Sequence, residues 1–270
     1  MPKTLKKQEL EDPLEVTVQS IIDYTVCGLY YDLEHIQNET RIIRWRDQMN
    51  EKFERVMKQV FQYYFFKKQA GQVPSLKVLT NKFEKLWFPK DMSAYEIAID
   101  QHSVQHDTLV SFSSIAVLAI ERFLENFGQE GAEALLIAEP YLIPVVDNVR
   151  LKGVIDLVLR YGNEYRVFKV GLRKRNKIHP FDFAAARMAF DHRNTGKPLS
   201  NVSYHYYDME YGFVDVVQPE RSDIRAIRFW CSEMFNSPML VPRRGFTSYC
   251  RGCAFDEQCL KFTFPEPEKV

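Results

Sequence analysis

Residues 141–174 read YLIPVVDNVRLKGVIDLVLRYGNEYRVFKVGLRK. Three runs rich in Val, Ile, Leu, Tyr and Phe are separated by Asp147-Asn148 and by Gly162-Asn163. β-Branched and aromatic side chains suit a pleated, half-buried surface, and Asn and Gly tolerate the positive φ of tight turns. The stretch is therefore expected to form three strands in a meander.

Outward from the meander the pattern changes to helical spacing. Trp45, Met49, Phe53, Val56, Val60 and Tyr64 recur between Arg41 and Lys68 at the period of a long amphipathic helix, which Gly71 and Pro74 stop. A second helix is expected from Ser75, a possible N-cap, to Trp87, and a third over about 107–127. Near the start, VTVQSIIDYTVCGLYYDLEHI begins with β-branched alternation and passes into a helical pattern carrying Cys27. Beyond the meander come a helix over 180–192, a hairpin in VSYHYYDMEYGFVDVV turning near 210–212, and a helix over 222–236. Helices, a strand meander, a helix, more strands and a helix imply an α/β fold. Its central mixed sheet should be flanked by helices on both faces.

The 270 residues are 46% hydrophobic and 14% aromatic, enough to build a core and too apolar for a disordered chain. No apolar run is long enough to cross a bilayer and the first residues lack the apolar stretch of a secretory signal, so a cytoplasmic location and no membrane partner are expected. Formal net charge is zero. It is not evenly spread: between Arg166 and Lys197 nine Lys and Arg face only Asp182 and Asp191. Arg173, Lys174, Arg175 and Lys177 form its densest part, placed to follow a phosphate backbone or simply to keep a loop solvated.

Cysteines in a reducing compartment indicate metal or redox chemistry more often than disulfides. Cys250, Cys253 and Cys259 stand in a C-x2-C-x5-C pattern, with Gly252 inside the first pair to permit a tight turn. Three thiolates leave one position of a tetrahedral or cuboidal centre for a fourth ligand. Cys27 is expected to fill it, with Cys231, set among apolar neighbours, as the rival. Thiolates suit a 4Fe–4S cluster and zinc alike.

This arrangement resembles the iron–sulfur branch of the RecB-like PD-(D/E)XK nuclease superfamily, which includes the CRISPR-adaptation exonucleases and the AddB-type recombination nucleases. The resemblance implies that Cys27, Cys250, Cys253 and Cys259 hold a 4Fe–4S cluster. It also implies one restriction-endonuclease-like domain over 1–270, with a helical insertion at 41–87 and an iron–sulfur tail at 238–270. GVIDLV, residues 153–158, matches the family's G-x-x-D strand and puts Asp156 where the metal-binding aspartate stands. The next motif departs. Where the family has a carboxylate, one residue and a lysine, this chain has Lys169 and Gly171. The family's histidine is absent from SFSSIAVLAIERF, and Ala186 and Phe190 take the two places of its Q-x-x-x-Y motif.

Two functional expectations follow from the resemblance. In the first, Asp156 is a remnant, Lys169 replaces the motif acid, and the protein binds DNA or scaffolds a DNA-processing complex without cleaving. In the second, it is an active exonuclease using Mg²⁺ or Mn²⁺, with a carboxylate supplied by Glu121, Glu139 or Glu164 and a cation by Lys152 or Lys174. A third, independent of the family, is a protein–protein module docking through the long helix at 41–68.

Overall fold

The computed structural model describes residues 13–27, 45–88, 106–128, 131–172, 179–194 and 201–236. Within them lie β1 (Leu14–Val16), α1 (Val18–Val26), α2 (Trp45–Gln69), α3 (Leu76–Trp87), α4 (His106–Phe127), β2 (Glu133–Val146), β3 (Val149–Tyr161), β4 (Glu164–Gly171), α5 (Pro180–Arg193), β5 (Val202–Asp208), β6 (Val214–Val217) and α6 (Arg221–Asn236). The strands form one mixed six-stranded sheet. β2, β3 and β4 are the expected meander, turned at Asn148 (φ +59°) and Gly162 (φ +59°). β4 and β5 run parallel, joined through α5, and β6 returns antiparallel beside β5.

Helices cover both faces of the sheet. On one face α2, α3 and α4 pack against Leu157, Leu159, Phe168, Val170 and Tyr207. That core is aromatic: Phe61 stacks on Phe123 with centroids 4.0 Å apart, and Tyr64, Phe65, Phe127 and Tyr207 meet Phe123 edge-on or tilted. α2 and α3, from the segment 41–87, thus share with α4 the layer that buries this side of the sheet. On the other face α1, α5 and α6 cover Val149, Leu151, Ile155, Val158, Val167, Tyr204 and Tyr206. α5 opens with its His179 imidazole accepting the Phe181 N–H, Pro180 in its first turn and Asp182 complementing the positive helix end.

Two details of β3 set up the site. β2 follows β3 along one edge for nearly its whole length, while the other edge is shared: β1 pairs with residues 149–151 and β4 with residues 157–161. Between them the edge is open. At the same place the strand changes face, since Leu151 and Ile155 point into one core and Leu157 and Leu159 into the other. In the register with β2 the residue opposite Asp156 is Ala138, whose φ of +50° is the left-handed region that non-glycine residues seldom enter.

Candidate functional site

Asp156 sits at the fork where β4 separates from β3. A strand leaving its neighbour strands main-chain donors that need partners. Here the Val170 N–H donates to Asp156 Oδ2 at 2.8 Å, so the carboxylate continues the ladder that β4 has left. Lys169, from the preceding position on β4, brings its Nζ to 4.0 Å from the same oxygen and to 3.8 Å from Asp182 Oδ1 on α5. Across the sheet, α2 presents Lys58 3.6 Å from Asp156 Oδ1, and Lys58 is itself paired with Glu54 at 3.0 Å. Five charged side chains from β3, β4, α2 and α5 therefore converge, three carboxylates and two ammonium groups.

The side chain of Asp156 is only 10% exposed, and a charge so placed needs compensation. Lys58 and Lys169 provide it, one on each carboxylate oxygen. The Asp156 carboxylate in turn raises the pKa of Lys169 above the ordinary lysine value, Asp182 and Glu54 add to this, and burial only partly opposes it. Lys169 is held as a cation. Tyr141, whose hydroxyl is pushed far up by burial and by the Asp182 and Asp156 charges, stays a neutral phenol. Its ring occupies the space beside Gly153, where an added Cβ would fall 2.4 Å from the hydroxyl oxygen. Any side chain at the glycine of GVID would therefore make the Tyr141 ring move. On β4, a Cβ on Gly171 would lie 3.1 Å from the Tyr206 hydroxyl and 3.7 Å from Glu54 Oε1, so positions 169 and 171 look toward the same cluster. A cleft lined by Phe61, Gln62, Phe123 and Leu157 has Lys58 and Asp156 in its wall.

A divalent cation fits this set poorly. Mg²⁺ is held at about 2 Å by one or two carboxylates plus substrate phosphates, with the rest of its shell water. Next to either oxygen of Asp156 it would lie within a few ångströms of an ammonium group. Two unit charges about 4 Å apart near a protein surface repel by roughly 4 kcal/mol, and a dication doubles that. Among the described residues no three His, Cys, Asp or Glu side chains are grouped to hold a metal ion.

Asp156 and Lys169, paired by the resemblance, do lie side by side. Glu54, Lys58 and Tyr141 entered none of the sequence-based site expectations. Lys58 is 98 positions before Asp156 and looks, in the sequence, like any charge on a helix's outer face. Two of the three carboxylates expected to migrate are engaged elsewhere, Glu139 with Arg193 and Glu164 with Arg166 at 2.9 Å, and the third, Glu121 on α4, is not among the ion pairs at Asp156. Lys152 pairs with Glu15 at 3.2 Å. Arg173, Lys174, Arg175 and Lys177 lie outside the described residues, between the end of β4 and the start of α5. Cys250, Cys253 and Cys259 also lie outside them.

Cys27 caps the C-terminal end of α1, its N–H donating to the Asp23 carbonyl at 2.8 Å, and is half-buried. Cys231 is fully buried in α6 beside Ile227 and Met234, and burial pushes its thiol up to about 12. A thiolate there is costly, so Cys231 is a core residue and Cys27 has the access a ligand needs.

A second polar group lies on β4 and β5. Ser203 Oγ is 2.7 Å from His205 Nε2 and 3.5 Å from Glu164 Oε1. The order is wrong for nucleophile activation: the acid reaches the serine, while His205 Nδ1 is buried without a hydrogen-bond partner. His205 stacks on Phe168 with centroids 5.0 Å apart, and burial, then the Arg166 charge, lower its pKa.

No protein-family model matches this chain, and neither does any curated protein sequence.

Removing one member of a half-buried ion pair leaves the other uncompensated, whereas removing both does not. Asp156→Asn should cost about 1–2 kcal/mol in urea unfolding, and Asp156→Asn combined with Lys169→Met less than the sum of the two single changes; strict additivity would dissolve the pair. For the cysteines, protein purified without oxygen should be brown, with a broad absorbance at about 400 nm. Cys27→Ala and Cys250→Ala should abolish the colour and Cys231→Ala should keep it. Stoichiometric zinc without iron or sulfide would reject the cluster.

Proposed function

We propose that this chain is a catalytically inactive, RecB-like member of the PD-(D/E)XK superfamily. It binds DNA or scaffolds a DNA-processing complex, and a structural 4Fe–4S cluster on Cys27, Cys250, Cys253 and Cys259 ties its two ends together. The observation that carries the reading is the pair of ammonium groups on Asp156. In a nuclease of this class the aspartate and a second carboxylate hold Mg²⁺, which stabilises charge on the scissile phosphate. Here Lys169 stands in the second carboxylate's place, Lys58 closes the other oxygen, and Gly171 has no side chain to orient a water. The fold is kept by an internal ion cluster where the reaction needs a metal.

Arg173, Lys174, Arg175 and Lys177 supply the expected DNA contact. In the sequence they join β4 to α5, the two elements that bring Lys169 and Asp182 to the ion cluster. The iron–sulfur cluster would close nearly the whole chain into one loop and so restrict the unfolded state.

The reading is tested by incubating the purified protein with single- and double-stranded DNA in Mg²⁺ and in Mn²⁺. No cleavage is expected in either. Metal-dependent degradation abolished by Asp156→Ala would overturn it.

A further inference from the structure

Among the described elements, the strongest excess of positive charge lies on the α2–α3 hairpin. Trp45–Trp87 contains nine Lys and Arg and four Asp and Glu, a surplus of five, in a chain whose total is zero. Several of these cations are absorbed by the fold. Lys52 donates to the Trp87 carbonyl at 3.1 Å, Lys68 to the Phe127 carbonyl at 3.1 Å, and Lys58 belongs to the Asp156 cluster. Lys67, Lys77, Lys82 and Lys85 are different: no ion pair among the described residues holds them.

Two of the four converge on an aromatic ring. Lys67 Nζ, from the same helix, is 5.8 Å from the centre of the Tyr63 ring, and Lys82 Nζ, from α3, is 5.4 Å from it. Lys67 also meets the neutral amide oxygen of Gln72 at 3.2 Å, which leaves its charge uncompensated. Three residues past Tyr63, Phe66 is 55% exposed, although Phe53, Phe61, Tyr64 and Phe65 of the same helix are buried. Residues three apart on a helix are surface neighbours. The hairpin therefore shows an exposed phenyl ring and a half-buried phenol, flanked by lysines with no acidic partner among the described residues.

We infer that the α2–α3 hairpin is a binding surface for single-stranded nucleic acid. Lys67 and Lys82, held over the Tyr63 ring, would contact successive phosphates, and the exposed Phe66 would take a base on its ring face. A single strand offers partners to aromatic rings interleaved with cations, since every base has a π-face and every nucleotide a charge. A duplex hides its bases and has no use for Phe66. The surface also continues toward the cluster already described, because Lys58 and Gln62 of the same helix line the cleft that reaches Asp156. The inference rests on the DNA-binding reading but assigns the contact to a different part of the molecule from residues 173–177.

The test is a fluorescence titration of labelled oligothymidylate against the full-length protein at several salt concentrations. The proteins are wild type, Lys67→Gln with Lys82→Gln, Phe66→Ala, and a basic-segment variant with Arg173, Lys174, Arg175 and Lys177 changed to Gln. The lysine variant should bind several-fold more weakly, and its log–log salt slope should fall by about 0.7 for each phosphate that the removed lysines neutralised. Phe66→Ala, a change at an exposed position, should keep the melting temperature and the salt slope while weakening oligothymidylate and leaving duplex binding unchanged. If both hairpin variants bind as wild type while the basic-segment variant fails, this inference is wrong and DNA binding through residues 173–177 stands. If wild type binds no oligonucleotide, both are wrong. Displacement of the oligonucleotide by polyglutamate at equal charge would overturn the assignment in favour of an acidic protein segment.

Discussion

A carboxylate with a tenth of its surface exposed, set where one strand parts from another, must be neutralised by something. Asp156 is that group. It has to be there for the sheet, because its Oδ2 accepts the Val170 N–H that β4 can no longer give to β3. Once it is there, the protein has two physical solutions: a divalent ion with its water and phosphate ligands, or ammonium groups carried by the fold itself. Lys58 and Lys169 are the second solution. Each also meets a further acid, Glu54 for the one and Asp182 for the other, so three carboxylates and two ammonium groups alternate at the fork.

This arrangement ties the two faces of the sheet together. α2 belongs to the aromatic core on one face and α5 to the core on the other, and β3 changes face at Asp156 between them. The open edge between β1 and β4, the left-handed Ala138 opposite Asp156, and the packing of Tyr141 over Gly153 are all local to that change. Backbone in a sparsely populated region persists only where the surroundings hold it there, and such positions collect at sites with a function or the remains of one.

The strands and helices are legible in the sequence where periodicity is clean. The meander turned at the Asp-Asn and Gly-Asn pairs, and the helices at 75–87, 180–192 and 222–236, agree with the structure to within a residue or two. β2 is longer than its sequence pattern indicates. Its first half, EALLIAE, is composed largely of good helix formers, and only pairing with β3 makes it a strand. Asp156 and Lys169 can be matched because strand alternation and a short connection fix their separation. Glu54 and Lys58 cannot, since nothing local to α2 distinguishes a lysine that reaches across the sheet from one that faces water. For the cysteines, the apolar neighbours of Cys231 point to the core position it takes.

The central claim is that ammonium groups occupy the electrostatic place of a metal at Asp156. The direct measurement is Mn²⁺ binding, followed by paramagnetic resonance of the free ion as it is titrated into wild type and into Lys169→Ala. Wild type should take up no Mn²⁺ at Asp156, and Lys169→Ala should gain a site that disappears when Asp156 is also changed to Asn. Stoichiometric Mn²⁺ uptake by wild type that is lost on Asp156→Asn would contradict that claim.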